Sequence, residues 1–303
     1  MMNASLTKIL LATDGSREAT LAMRAAADIS CKTGAELHVL HVFTDVVPPP
    51  HPGSTTFNDY DRLPEQEARE LLRKQGWKAR IEGGEVAGEH LREGRPVQEI
   101  NTLAEELNVD LMVVGSRRPG WVRRLVTGSV SEGLVHRALC PVLIVRGGED
   151  AWPPARVVVG DDGSEAARRA DVFAAEIASL CGADVVLVRA YENPLKQVGG
   201  WSTQDRHELH EVLRRRREDL EERAEQLAAL TQGRIGIWLT ETKLASAMSL
   251  VAGNRDREQT LFAVGSRGSC TLDRVPEGSV SIKVLRTTHG PVLVVPSETA
   301  STR

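Results

Sequence analysis

Apolar and polar positions fall into blocks of two kinds along this chain. Short runs such as KILLA at Lys8, LHVLHVF at Leu37, LMVVG at Leu111 and PVLIV at Pro141 are apolar almost throughout and read as strands buried on both faces. Between them the apolar residues take helical spacing. Ala22, Ala25, Ala26 and Ile29 stand at i, i+3, i+4 and i+7, the stripe of a helix lying on a core. Strands and helices alternating in this way predict βαβ units and a parallel sheet covered on both faces. Crossovers are then right-handed, and ligands belong at the carboxyl ends of the strands, near the point where strand order reverses.

The whole pattern occurs twice. KILLATDGS (Lys8 to Ser16) returns as RVVVGDDGS (Arg156 to Ser164), 148 residues later. At the same offset Ala170, Phe173, Ala174 and Ile177 repeat the helical stripe, with Ser16 and Ser164 as expected N-caps. LMVVGSR, closing on Gly115 to Arg117, matches LFAVGSR, closing on Gly265 to Arg267. Gly-Ser-Val-Ser at Gly128 and again at Gly278 opens a helix in each copy, and PVLIV and PVLVV read as final strands, Pro141 to Arg146 and Pro291 to Pro296. The fold class is therefore α/β, as two tandem doubly wound parallel-sheet domains spanning 1–147 and 155–298. GGEDAWPPA, Gly147 to Ala155, separates them with Gly, Pro and charge.

Between the repeated elements the copies differ. Val46 to Asp61 and Glu192 to Asp205 read as loops. The second leads into a long helix from Asp205 to Leu230, with Leu209, Leu213, Leu220, Ala224 and Leu227 on one stripe. Arg214 to Arg217 wraps the opposite face, as a solvated face does. His207 and His210 are three apart, not four apart around a Glu, so they lack the metalloprotease spacing and read as a surface pair.

The 303 residues suit two ordinary domains, and 41% hydrophobic with 26% charged residues is the balance of a globular protein. A net charge of -4 argues against a protein built to hold a nucleic-acid backbone. The N-terminal apolar stretch is too short for a signal or a membrane span, so a cytoplasmic protein without membrane contact is expected. Cys31, Cys140, Cys181 and Cys270 form neither a CxxC pair nor a zinc spacing, and no metal site is expected from them.

The spacing that carries chemistry is Gly265, two residues, Gly268, nine residues, Gly278, then Ser279, set after a strand and before a helix. A phosphate chain needs backbone N–H groups unobstructed by Cβ atoms and gains from the positive end of a helix. Gly265 and Gly268 are expected to supply the turn after the strand, and Gly278 and Ser279 the approach to the helix. With Asp162 after the first strand, this pattern resembles the nucleotide signature G-x2-G-x9-G-S/T of the universal stress protein family, here in tandem two-domain form. The resemblance covers nearly the whole chain. It implies a Rossmann-like, adenine nucleotide alpha hydrolase-like fold, with final strands that pair as in a dimer of single domains. The chain would then be a monomeric pseudo-dimer or a homodimer. The resemblance also implies a stress-response role with ATP, accompanied by Mg2+, as cofactor and an unidentified protein as further partner. In ATP-binding members the first aspartate contacts the adenosine portion, main chain after the second strand contacts adenine, and the Gly/Ser run holds ribose and phosphates. Those roles fall here on Asp162, on Ala190, and on Gly265, Gly268, Gly278, Ser279 and Val280.

Copy one departs from the signature. Asp14, Val42, Gly115, Gly128, Ser129 and Val130 are its candidate contacts, but Arg118 stands at the second glycine. An arginine there either strains the turn and crowds the phosphates or pairs with one of them, and the sequence leaves both open. Copy two departs elsewhere, with Thr242, Lys243 and Leu244 where copy one has Gly94, Arg95 and Pro96. No P-loop, dinucleotide fingerprint or GxSxG elbow is present, and the adjacent Asp161 and Asp162 would point to opposite sides. The expectation is an ATP-dependent regulator acting through its second copy. An interaction module without nucleotide and a slow ATPase are the alternatives.

Overall fold

The computed structural model describes residues 6–44, 65–116, 129–191, 203–253, 259–266 and 280–297. The loop expected at 46–61, most of that expected from Glu192, the position of Arg118, and Gly128, Gly268, Gly278 and Ser279 lie outside the described residues. Two compact units divide the chain, one up to Trp152 and the other from Pro153.

The first unit runs β1 (Lys8–Ala12), α1 (Arg17–Thr33), β2 (Glu36–Phe43), α2 (Glu65–Ile81), β3 (Val86–Glu93), α3 (Pro96–Leu107), β4 (Leu111–Gly115), α4 (Ser129–Arg137), β5 (Val142–Val145). Its strands lie in the order β3-β2-β1-β4-β5, every neighbouring pair parallel. The second unit runs β6 (Arg156–Gly160), α5 (Glu165–Cys181), β7 (Asp184–Ala190), α6 (Thr203–Ala228), β8 (Ile235–Thr240), α7 (Leu244–Ala252), β9 (Thr260–Ser266), α8 (Val280–Thr287), β10 (Val292–Pro296). Its order is β8-β7-β6-β9-β10, again all parallel. This is the doubly wound α/β arrangement the alternating blocks call for.

In each unit the helices form two layers. α1 and α2 pack on one face of the first sheet and α3 and α4 on the other, and α5 with α6 and α7 with α8 repeat this. The central strands are buried on both faces, as in Ile9, Leu10 and Leu11 of β1 and Val157, Val158 and Val159 of β6. That is why they read as unbroken apolar runs. Ser16 and Ser164 cap α1 and α5, their hydroxyls accepting from the amides of Ala19 (3.1 Å) and Ala167 (3.2 Å). Gly34 and Gly182 end the same helices in the left-handed region.

The long helix begins and ends two residues before the expected bounds, within the usual fraying of helix ends. Of its apolar stripe Leu220 and Leu227 are buried, whereas Leu209, Leu213 and Ala224 are only half-buried. Its arginines are paired along the helix, Arg214 with Glu211 and Glu218 and Arg217 with Glu221, as a solvated face would be. His207 and His210 are exposed. The local departure of copy two also shows, since α7 has 9 residues, where α3 has 12 and Pro96 in its first turn. The segment after β5 is more ordered than its composition suggests. Glu149–Ala151 forms a 3-10 turn, and the Trp152 indole N–H donates to Asp28 of α1 at 2.9 Å. Among the described residues no helix is long and apolar enough to cross a membrane.

Candidate functional site

In both sheets strand order reverses beside the first strand, between β1 and β4 and between β6 and β9. The crevice at the carboxyl ends of those strands is where an open α/β sheet takes its ligands. In the second unit the register sets Gly160, the last residue of β6, level with Val188 of β7 and Val264 of β9. Asp162 therefore emerges from the same edge at which Ala190 ends β7 and Gly265 nears the end of β9. α8 leads back to a strand parallel to β9, so Val280, its first residue, belongs to that edge too. The structure thus brings Asp162, Ala190, Gly265 and Val280 together. In the first unit Asp14, Val42, Gly115 and Val130 stand at the corresponding places, and Ser129 opens α4.

Both Asp-Gly-Ser turns are built alike. The first oxygen of Asp14 accepts the Ser16 amide at 3.0 Å, and that of Asp162 accepts the Ser164 amide at 2.9 Å. Gly15 and Gly163 sit at φ +75° and +80°, where a side chain would be strained. Asp161 and Asp162 do point apart, the first fully buried and the second exposed.

The signature's first glycine has a different place from the one expected. Gly265 is not in a turn but within β9, paired with Val295 of β10, and Gly115 ends β4 paired with Val145. A Cβ on Gly265 would lie 2.6 Å from the Ala166 carbonyl carbon, and one on Gly115 would lie 2.5 Å from that of Glu18. Each glycine lets the first turn of α5 or α1 press against the strand at backbone distance, bringing the helix N-terminus to the carboxyl edge.

The sequence carries the matching family relationship in both copies: the universal stress protein family model matches residues 5–146 and again 154–296. The chain belongs to the universal stress protein family. Universal stress protein YxiE of Bacillus subtilis is 34% identical over 149 residues, 46% of this chain and 98% of that protein. A universal stress protein of Mycobacterium tuberculosis is 32% identical over 194 residues, 61% of this chain and 60% of its own length. Among solved structures, a universal stress protein from Archaeoglobus fulgidus superposes with a TM-score of 0.69 at 22% identity, covering 96% of this chain and 98% of that one. That likeness speaks for the fold alone.

Within this universal stress protein the two sites differ in what lies under the turn. In the first unit the Thr13 hydroxyl accepts the Gly15 amide at 3.2 Å, and His41 Nδ1 lies 2.7 Å from the Thr13 carbonyl oxygen. In the second unit the equivalent residues are Asp161 and Arg189. Asp161 Oδ1 accepts the Gly163 amide at 2.6 Å, and its Oδ2 accepts from Arg189 at 2.5 Å. Arg189 also donates to Asp219 of α6 at 2.6 Å. Arg223 of α6 lies 3.4 Å from Asp161 and pairs closely with Asp171 of α5.

Burial works against the charge on Arg189, yet hydrogen bonds and charge from Asp219 and Asp161 outweigh it and hold the guanidinium above its ordinary range. Asp171 goes the other way for a carboxyl group. Burial and the Asp161 charge push it up to about 7 despite Arg223, and its Oδ1 is buried with no hydrogen-bond partner among the described residues. Sequence reasoning missed this network. Its signal was present in the repeat, where Asp161, Asp171 and Arg189 stand at the places of Thr13, Met23 and His41, all three buried in the first unit.

Proposed function

We infer that the second unit binds an adenine nucleotide, ATP with Mg2+, at the carboxyl edge of β6, β7 and β9, and that the chain acts as a nucleotide-dependent regulator in a stress response. The observation that carries this reading is the convergence of Asp162, Ala190, Gly265 and Val280 on the switch point of the sheet, in the copy whose Gly/Ser signature is complete. The chemistry of these groups suits the ligand. The exposed Asp162 carboxylate can accept from ribose hydroxyls, main chain at the end of β7 can pair with the edge of adenine, and the first turn of α8 offers N–H groups to phosphate. Among the described residues no group of three or more His, Cys, Asp or Glu is placed to hold a metal ion. Magnesium would arrive on the phosphates, its usual mode in nucleotide sites. The first unit keeps Asp14, Val42 and Gly115 but carries Arg118 in its signature, and we assign it the weaker site.

One observation favours a second reading, an interaction module of the same fold without nucleotide. Gly115 and Gly265 are both accounted for by helix packing, so their presence does not by itself require a phosphate. Thermal unfolding with and without millimolar Mg-ATP separates the two. A ligand at 100 times its Kd adds about 2.7 kcal/mol to the state that binds it. A shift in wild type that is lost in Gly268→Arg and kept in Gly128→Arg supports the assignment to the second unit. Absence of any shift in wild type overturns it in favour of the module.

A further inference from the structure

The Thr/His pair of one unit and the Asp/Arg pair of the other occupy the same two positions beneath the same turn. In the first unit the turn is held by the Thr13 hydroxyl and His41, and Leu71 of α2 leans over it, so that a Cβ on Gly15 would meet Leu71 Cδ1 at 2.8 Å. In the second unit the Asp161 carboxylate takes the place of the Thr13 hydroxyl. One oxygen holds the Gly163 amide, and the other is clamped by Arg189, which itself reaches α6 through Asp219 and the Arg216 carbonyl oxygen at 3.4 Å. Asp161 is fully buried and Arg189 is 6% exposed, so neither charge is sustained by water. If Arg189 is removed, a buried carboxylate loses its principal partner and must reorganise. The oxygen that fixes Gly163 then shifts, and Gly163 is the residue after Asp162.

We propose that Arg189 and Asp161 are the positioning residues of the nucleotide site in the second unit: the clamped carboxylate fixes the Gly163 amide, and so the direction in which Asp162 is presented, while Asp219 ties that turn to α6. This rests on the reading of Asp162 as a nucleotide contact, and the swap within the chain supplies its own control. Asp161→Thr with Arg189→His installs the pair that holds the equivalent turn around Asp14. Arg223 retains Asp171 in that variant, and the half-exposed Asp219 is left to water.

The test uses the full chain with the first site silenced by Asp14→Ala and takes two readouts. Amide hydrogen exchange of Gly163 and Ser164, measured by NMR without ligand, reports the turn itself, and calorimetry with Mg-ATP reports the site. Arg189→Met is expected to speed exchange at these two amides at least tenfold, leaving Val157 to Val159 of β6 unchanged, and to weaken Mg-ATP binding about tenfold. The Thr/His double variant is expected to bring both readouts back to within threefold of the parent, including the case in which Arg189→Met alone folds poorly. Unchanged exchange and affinity in Arg189→Met, or a double variant no better than the single one, overturns the proposal. If the parent binds no Mg-ATP, the nucleotide reading fails, whereas the exchange data still decide whether Arg189 holds the turn.

Discussion

Replacing Gly265 by alanine adds one methyl group where β9 and the first turn of α5 meet at backbone distance. The new Cβ would stand 2.6 Å from the Ala166 carbonyl carbon, 2.8 Å from its oxygen and 2.8 Å from the Ala167 nitrogen. All three atoms are backbone, so no side chain can swing aside. β9 and the first turn of α5 must separate by several tenths of an ångström against the packing of Leu261, Phe262, Ala263, Ala167 and Ala170, all buried. Overpacking a well-filled core costs about 1 to 3 kcal/mol, and with rigid neighbours on one side we expect about 3 kcal/mol. Gly236→Ala in β8 is the matched control, because its Cβ would find its nearest neighbour, Val186 Cγ2, at an ordinary 3.9 Å. That variant should change stability by less than about 1 kcal/mol, with a gain expected from the lost freedom of glycine. Urea unfolding without nucleotide, followed residue by residue by NMR so that the two units are read separately, gives both values. If Gly265→Ala and Gly236→Ala unfold at the same urea concentration, the close approach is not what requires glycine at 265, and a ligand would have to be its reason.

Two further outcomes follow from buried titratable groups. Asp171 holds its proton up to about pH 7 in the folded unit, against an ordinary value of 3.8, so the unfolded chain releases that proton first as pH rises. This group's contribution is complete below about pH 4 and is lost by about pH 7, on the order of 4 kcal/mol, and Asp171→Asn should flatten the decline. Parallel stability profiles for wild type and variant between pH 4 and 7 would show that the carboxyl group is ionised throughout. In the first unit the Cys140 thiol is buried, and burial together with the Asp110 charge pushes it up to about 12, whereas Cys31 is exposed. Iodoacetamide at pH 8 should label Cys31 in the native protein and Cys140 only in denaturant, and equal native labelling of the two would contradict the burial.

Much of this architecture could be read directly from the residues. Apolar runs longer than a half-exposed strand tolerates marked β1, β2, β4 and β5 and their counterparts, and stripes at helical spacing marked α1 and α5. Asp-Gly-Ser was legible as turn and cap together, because a left-handed glycine followed by a serine that can accept from the third amide on is a local requirement. The exchange of Thr13 and His41 for Asp161 and Arg189 was also visible as letters. Its meaning was not, since a buried charge has a defined effect only once its partner is placed, and Arg223 and Asp219 come from a helix remote in sequence. Gly265 shows the same limit from the other side. Its spacing from Gly268 and Gly278 is a property of the sequence, but its contact with Ala166 exists only after β9 and α5 have packed.

What the sequence alone determined was local and periodic: which segments are strands, which helices, where they turn, and that the unit is repeated, because these depend on neighbours within a few residues. What the tertiary structure alone decided was which groups share the low-dielectric space at the edge of each sheet. There the distance between residues far apart in the chain, and the absence of water, set the charge, the packing and the direction of every group a ligand would meet.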